Sequence, residues 1–418
     1  VKPNSAKLFQ QVRLLDPLSN TDRIADVLIS DRQIAAIDSH LPLSSEKIEI
    51  INGQGSILAP GLVDLYSSSG APGHEERETF ASLTKAAIAG GFTRVAILPS
   101  TRPVIDNPAT LALLQQKLSS NQVKFYFWGA LTQDLQGQQL SELAELATAG
   151  VIGFTDNQAH NNLNLLRRLL EYSQPFNLPV ALVPVDLKLQ GNGVMREGDI
   201  SIKLGLEGDP AISETAAIAS ILELVATTKT SVHLMRISTA RGVELIKQAK
   251  ERDLPITAST SWMHLLLNAE AIASYDPNLR LTPPLGNVED RLALIEGVKQ
   301  GVIDAIAVDH TPYTYEEKTV PFGQAPPGVI GLELTLPLLW QNLVEKSILS
   351  GLQLWKALSL NPLVCLKKEP INANIGQPCE LILFDPHQIW QVTPPHLQSI
   401  AYNTPWLGKQ IKGKVYLS

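Results

Sequence analysis

Ala59-Pro60-Gly61-Leu62-Val63-Asp64-Leu65-Tyr66-Ser67-Ser68-Ser69-Gly70-Ala71-Pro72-Gly73 is the stretch on which the reading of this 418-residue chain turns. A Pro-Gly turn feeds a short apolar run, which then breaks into small polar residues and a second Pro-Gly. That pattern predicts a buried strand whose C-terminal end opens into a loop. In a barrel of parallel strands, such ends form the active face.

Downstream, the same texture repeats. Short apolar runs predict strands at Thr93 to Leu98, Val123 to Leu131, Val151 to Phe154, Pro179 to Val185, Thr230 to Ile237, Pro255 to Ser259 and Ile303 to Val308. Amphipathic segments between them predict helices over Glu78 to Ala89, Leu140 to Ala149, Leu163 to Tyr172, Glu214 to Ala226, Arg241 to Glu251 and Val288 to Gln300. With the opening strand this makes eight strands alternating with helices, the signature of an α/β protein built as a (β/α)8 TIM barrel. Both chain ends read differently. Leu8 to Leu14, Arg23 to Ile29, Gln33 to Ile37 and Ile48 to Ile51 are short strands between turn-rich segments, and Glu380 to Phe384 and Gly413 to Leu417 resume that texture. The expected layout is a barrel over residues 59–365 beside a small β-rich domain composed of residues 1–58 and 366–418.

Composition narrows the function classes. A net charge of −7 and a pI near 5.7 argue against a nucleic-acid partner. No apolar run is long enough to span a membrane, and Val1-Lys2-Pro3-Asn4 is not followed by the apolar segment of a secretory signal. Two cysteines, Cys365 and Cys379, make no disulfide framework. The cytoplasm is the expected compartment.

The opening stretch resembles the first barrel strand of dihydroorotases and related cyclic amidohydrolases, whose pattern is PGLVDLHVHLREPG. The similarity extends over nearly the whole chain, down to Asn403-Thr404-Pro405-Trp406 and Lys412-Gly413-Lys414-Val415. It implies the same barrel and two-part layout, and a zinc site at the barrel mouth for opening a cyclic amide. The ligand positions, however, have changed. The family's two strand-one histidines fall at Tyr66 and Ser68. Its strand-four aspartate is kept as Asp156, its strand-five histidine is placed at Pro184, and its strand-six histidine at Arg236. The strand-eight aspartate remains as Asp309, a vestigial general base. The family's arginines fall at Gly70 and Gly286, its loop asparagine at Ser100, and Asn278 survives as a vestigial substrate contact. Two carboxylates without imidazoles cannot fill a four-ligand zinc site, so no metal is expected.

The remaining histidines show no paired spacing that would build a new site, although His74 and His160 follow strands one and four. Asp156, Asp186 and Asp309 offer oxygen ligands for a magnesium ion as a remoter possibility. His233 and His264 read as structural, the charges of Glu316-Glu317-Lys318 as solvated, and Gly328, Gly331 and Glu333 as loop and helix geometry. Without a metal, the mouth would hold two like charges, so Arg236 is expected to pair with Asp309, Asp156 or both.

Erosion of the ligands beside an intact scaffold implies a catalytically inactive dihydroorotase-like protein of pyrimidine biosynthesis. The resemblance supplies its role, as a structural or regulatory partner of aspartate carbamoyltransferase in a homo- or hetero-oligomer. The alternative is an active zinc-dependent dihydroorotase, or another cyclic amidohydrolase, with unorthodox ligands.

Overall fold

The computed structural model describes residues 6–42, 48–119 and 121–417. The opening Val1-Lys2-Pro3-Asn4 lies outside the described residues. Eight parallel strands line up in chain order: β1 (Leu62–Ser67), β2 (Phe92–Ile97), β3 (Lys124–Gly129), β4 (Gly153–Phe154), β5 (Val180–Leu182), β6 (Val232–Leu234), β7 (Ile256–Ser261) and β8 (Ala305–Ala307). The main covering helices are α1 (Phe80–Gly90), α2 (Pro108–Leu118), α3 (Leu143–Ala149), α4 (Leu163–Ser173), α5 (Ile212–Thr228), α6 (Ala240–Glu251) and α7 (Val288–Gln300). This is the expected α/β barrel. Local chemistry sets the βα junctions. Thr79 and Ser82 form a capping box at the start of α1. At its end Gly91, at φ 83°, turns the chain directly into β2.

Side chains seal the seam between β8 and β1. Asp64 is fully buried, accepts the Val308 N–H at 2.8 Å and receives the Ser67 hydroxyl at 2.5 Å. Farther along, Ser68 N–H donates to the His310 carbonyl at 2.8 Å. Burial pushes the Asp64 carboxyl up to about 7, against these donors.

The barrel's floor is apolar. Trp128 fills the interior and donates its indole N–H to the Leu65 carbonyl. Below it Leu363, Leu366 and Ile371 join the interior cluster, each contributing about 1.5–3 kcal/mol by burial. Ser359 and Trp355 bond the Gly61 and Pro60 carbonyls, tying this floor to the foot of β1. The floor therefore runs past residue 365, because Leu366 and Ile371 bury their side chains in the barrel.

The chain ends do combine into one sheet. Its order is Gln410–Leu417, Leu381–Gln391, Ile57–Pro60, Ala6–Asp16, Thr21–Ser30 and Gln33–Asp38, with Ile48–Asn52 added parallel to Ala6–Asp16. Ile57–Pro60 pairs antiparallel with Leu381–Phe384. The passage into the barrel thus falls at Gly61, two residues after the expected boundary. Among the described residues, no helix is long and apolar enough to cross a membrane.

Candidate functional site

The C-terminal ends of the strands enclose a cavity of about 410 Å³. Ser68, His74, Arg236, His264 and Asp309 stand in its wall, as do Ser100 and Gly70. Tyr66 is completely buried beneath it.

Arg236 follows β6 and Asp309 follows β8. The guanidinium reaches the carboxylate through two parallel hydrogen bonds, Nε to Oδ2 and Nη2 to Oδ1, each 2.6 Å. This is the fork-on-fork geometry that makes arginine–carboxylate pairs strong. Burial works against the arginine's charge, but Asp309 more than offsets it and holds the group above its ordinary value. The guanidinium carbon also lies 5.3 Å from the centre of the Tyr66 ring. Tyr66 accepts the Arg236 backbone N–H at 3.2 Å, and its hydroxyl meets Ser259 Oγ at 2.9 Å. Ser259 in turn contacts His233 Nε2 at 2.8 Å, and His233 Nδ1 contacts Thr257. Burial pushes His233 down to about 3, so it is a neutral, satisfied core histidine.

The structure separates the two carboxylates expected to share the mouth. Asp156 is not in the cavity wall. It takes the Leu131 and Thr132 N–H groups at 2.7 and 3.0 Å and the Thr132 hydroxyl at 2.5 Å. His160 Nε2 lies 3.3 Å from its other side. Burial pushes Asp156 up and His160 down. The loop after β3 thus claims this carboxylate, and Arg236 pairs with Asp309 alone. Asp186 is elsewhere again, capping the short helix Leu187–Gln190.

Two further expectations need correction. Asn278 is absent from the cavity wall. Its Oδ1 is buried without a protein partner, and its N–H is bound by Asp276. The charges after β8 are not simply solvated. Glu317 holds Arg77 through Nε at 3.1 Å and Nη2 at 2.5 Å, although 240 residues separate them. Lys318 is buried and donates to the Pro277 and Pro326 carbonyls. Burial brings its ammonium down to about 7. Tyr313 lies between the two cations, 4.9 Å from Arg77 and 5.1 Å from Lys318.

His264, read from the sequence as structural, is buried yet lines the cavity. His310, to which the sequence assigned no role, accepts the Gly331 N–H at Nδ1 and faces Glu78 at 3.4 Å from Nε2.

A zinc ion does not fit these residues. Tyr66 is committed to Ser259 and Arg236, Pro184 has no donor atom, and both Asp309 oxygens are bound by a cation. Asp156 already accepts three hydrogen bonds from the loop after β3. Among the described residues, no three His, Cys, Asp or Glu side chains converge as metal ligands. The former arginine positions are closed as well. Gly70, at φ 69°, would place a Cβ 2.6 Å from the Glu78 carbonyl oxygen, and a Cβ at Gly286 would meet the Ser238 carbonyl oxygen at 2.8 Å.

Comparison with known proteins places this geometry. A family model described as dihydro-orotase-like matches residues 55–241. The chain is 50% identical to a probable dihydroorotase-like protein of Synechocystis, over 97% of each chain. It is 36% identical to a dihydroorotase of Syntrophotalea carbinolica, covering 97% of this chain and 96% of that one. Among solved structures, the L-hydantoinase (dihydropyrimidinase) from Arthrobacter aurescens superposes with a TM-score of 0.83 at 20% identity, over 98% of this chain and 93% of its own. That likeness bears on the fold.

Proposed function

The chain belongs to the dihydroorotase-like family, and from that premise we propose that it is a non-catalytic member acting in pyrimidine biosynthesis. Its role on this reading is structural or regulatory, as a partner of aspartate carbamoyltransferase in the cytoplasm. The observation that carries the reading is the Arg236–Asp309 ion pair over the Tyr66 ring. A permanent cation stands beside the one mouth carboxylate, where hydrolysis in this family needs a Lewis acid and a bound hydroxide.

Metal analysis and partner capture test it together. Purified protein should carry less than about a third of a zinc per chain and fail to turn over dihydroorotate. It should co-migrate with aspartate carbamoyltransferase on size-exclusion chromatography. Stoichiometric zinc surviving dialysis, with turnover, would replace this reading by the alternative, an active cyclic amidohydrolase with unorthodox ligands. Favouring that alternative is the name dihydroorotase carried by the Syntrophotalea relative over nearly the full length. Absence of co-migration would remove the partner role alone.

A further inference from the structure

A second cavity, of about 180 Å³, lies outside the barrel mouth, between α4, α5 and the end of β5. It shares no lining residue with the mouth. Leu166, Leu182, Ala217 and Ile221 form its aliphatic wall. An engineered apolar cavity of about 150 Å³ takes benzene, so the room here suits a single ring or a short branched chain.

The polar side chains around it are bonded or solvated, with one exception. Asp186 accepts the Lys188 and Leu189 N–H groups at 2.9 and 3.1 Å, and the Ser220 hydroxyl donates to the Ala216 carbonyl at 3.0 Å. Asn161 and Lys188 are exposed.

The exception is His160, whose side chain is 5% exposed. Its Nε2 lies 3.3 Å from Asp156 Oδ2, off the line of a good hydrogen bond, and its Nδ1 has no partner among the described residues. Asp156 takes donors from Leu131 and Thr132 and is an acceptor towards the ring as well, so Nε2 carries the proton. Burial holds the ring neutral, below the ordinary histidine value. Nδ1 is then a bare acceptor on a ring that lines an aliphatic cavity, and such a group calls for a donor. An anion brings no donor, and Asp186 in the same wall offsets the charge of Lys188.

We propose that this cavity binds an uncharged phenol or small alcohol, its hydroxyl donating to His160 Nδ1 and its body packed on Leu166, Leu182 and Ile221. The site goes beyond the partner role and requires neither that role nor a metal.

Isothermal titration of the full chain tests it with phenol, toluene and benzoate. Phenol should bind with a Kd of about 1 mM or tighter. Toluene keeps the ring without a donor, and benzoate replaces the donor by a charge. Each should bind at least about fivefold more weakly than phenol. Ala217→Leu narrows the cavity and should abolish the phenol heat. His160→Leu removes the acceptor and should bring phenol down to the level of toluene, with a parent-like circular dichroism spectrum. Should that variant fail to fold, Ala217→Leu and the three probes on the parent decide. No phenol binding by the parent, or equal binding by Ala217→Leu, would overturn the site. Toluene or benzoate binding as tightly as phenol would overturn the hydroxyl contact with His160. None of these results bears on zinc content or co-migration, so failure here leaves the non-catalytic reading standing.

Discussion

Arg236 and Asp309 face each other with both residues in the left-handed region, at φ 55° and 53°. Each conformation costs a non-glycine residue about 1–2 kcal/mol. Together they turn two strand ends so that a guanidinium and a carboxylate meet edge to edge, with Nε and Nη2 each 2.6 Å from an oxygen. The pair is the electrostatic centre of the barrel mouth.

Removing one partner should therefore hurt more than removing both charges. Arg236→Met leaves the Asp309 carboxylate unpaired and should lower unfolding free energy by about 3–5 kcal/mol. Adding Asp309→Asn should recover most of that loss. Chemical denaturation of the two variants checks it, and a parent-like single variant would show the pair to be energetically idle.

Restoring the missing imidazoles at β1 should not restore chemistry. Tyr66→His with Ser68→His leaves Pro184 without a donor atom and Asp309 bound to Arg236. It also removes the phenol that bridges Ser259 and the Arg236 backbone. We expect no dihydroorotate turnover and a stability loss of about 1–3 kcal/mol from the unsatisfied groups. Detectable turnover would mean that fewer ligands suffice than a four-coordinate site implies.

The Arg77–Glu317 bridge joins the loop after β1 to the segment after β8, beside the ring of Tyr313. Both side chains are partly exposed, so Glu317→Gln should cost no more than about 1 kcal/mol of global stability. Its effect should be local: amide exchange across Thr314–Lys318, where Glu317 also closes a capping box, should quicken. Unchanged exchange there would show that the packing of Tyr313 holds the segment without the bridge.

Glu333 supplies a pH signature. Burial pushes its carboxyl up to about 7, and the nearby Glu78 carboxylate adds to the shift. Its folded value lies above its unfolded one, so the stabilisation is complete below the ordinary glutamate range and fades as pH rises towards about 7. Relative to Glu333→Gln, the parent should lose up to roughly 1.4 kcal/mol per pH unit across that window and nothing further above it. Denaturation of both proteins at a series of pH values measures the difference. A constant difference would mean that the Gln398 and Ser399 N–H groups, both bonded to Glu333, hold it ionised throughout.

The sequence by itself determined the eight-stranded barrel and the pairing of its two ends into one sheet, and it shows no imidazole at Tyr66, Ser68, Pro184 or Arg236. These are written in local periodicity and in residue identity: an arginine or tyrosine at a ligand position is visible without coordinates. It also pointed to Arg236 as the replacement cation, because two carboxylates without a counter-charge are unfavourable in a confined mouth. Which carboxylate it meets was decided by tertiary structure. Asp156 lies one loop away from the Leu131 and Thr132 donors, and their three hydrogen bonds draw it out of the mouth. The bridge from Arg77 to Glu317 and the place of His264 in the cavity wall arise from segments far apart in the chain. No local pattern encodes them, because their partners become neighbours only when the barrel closes.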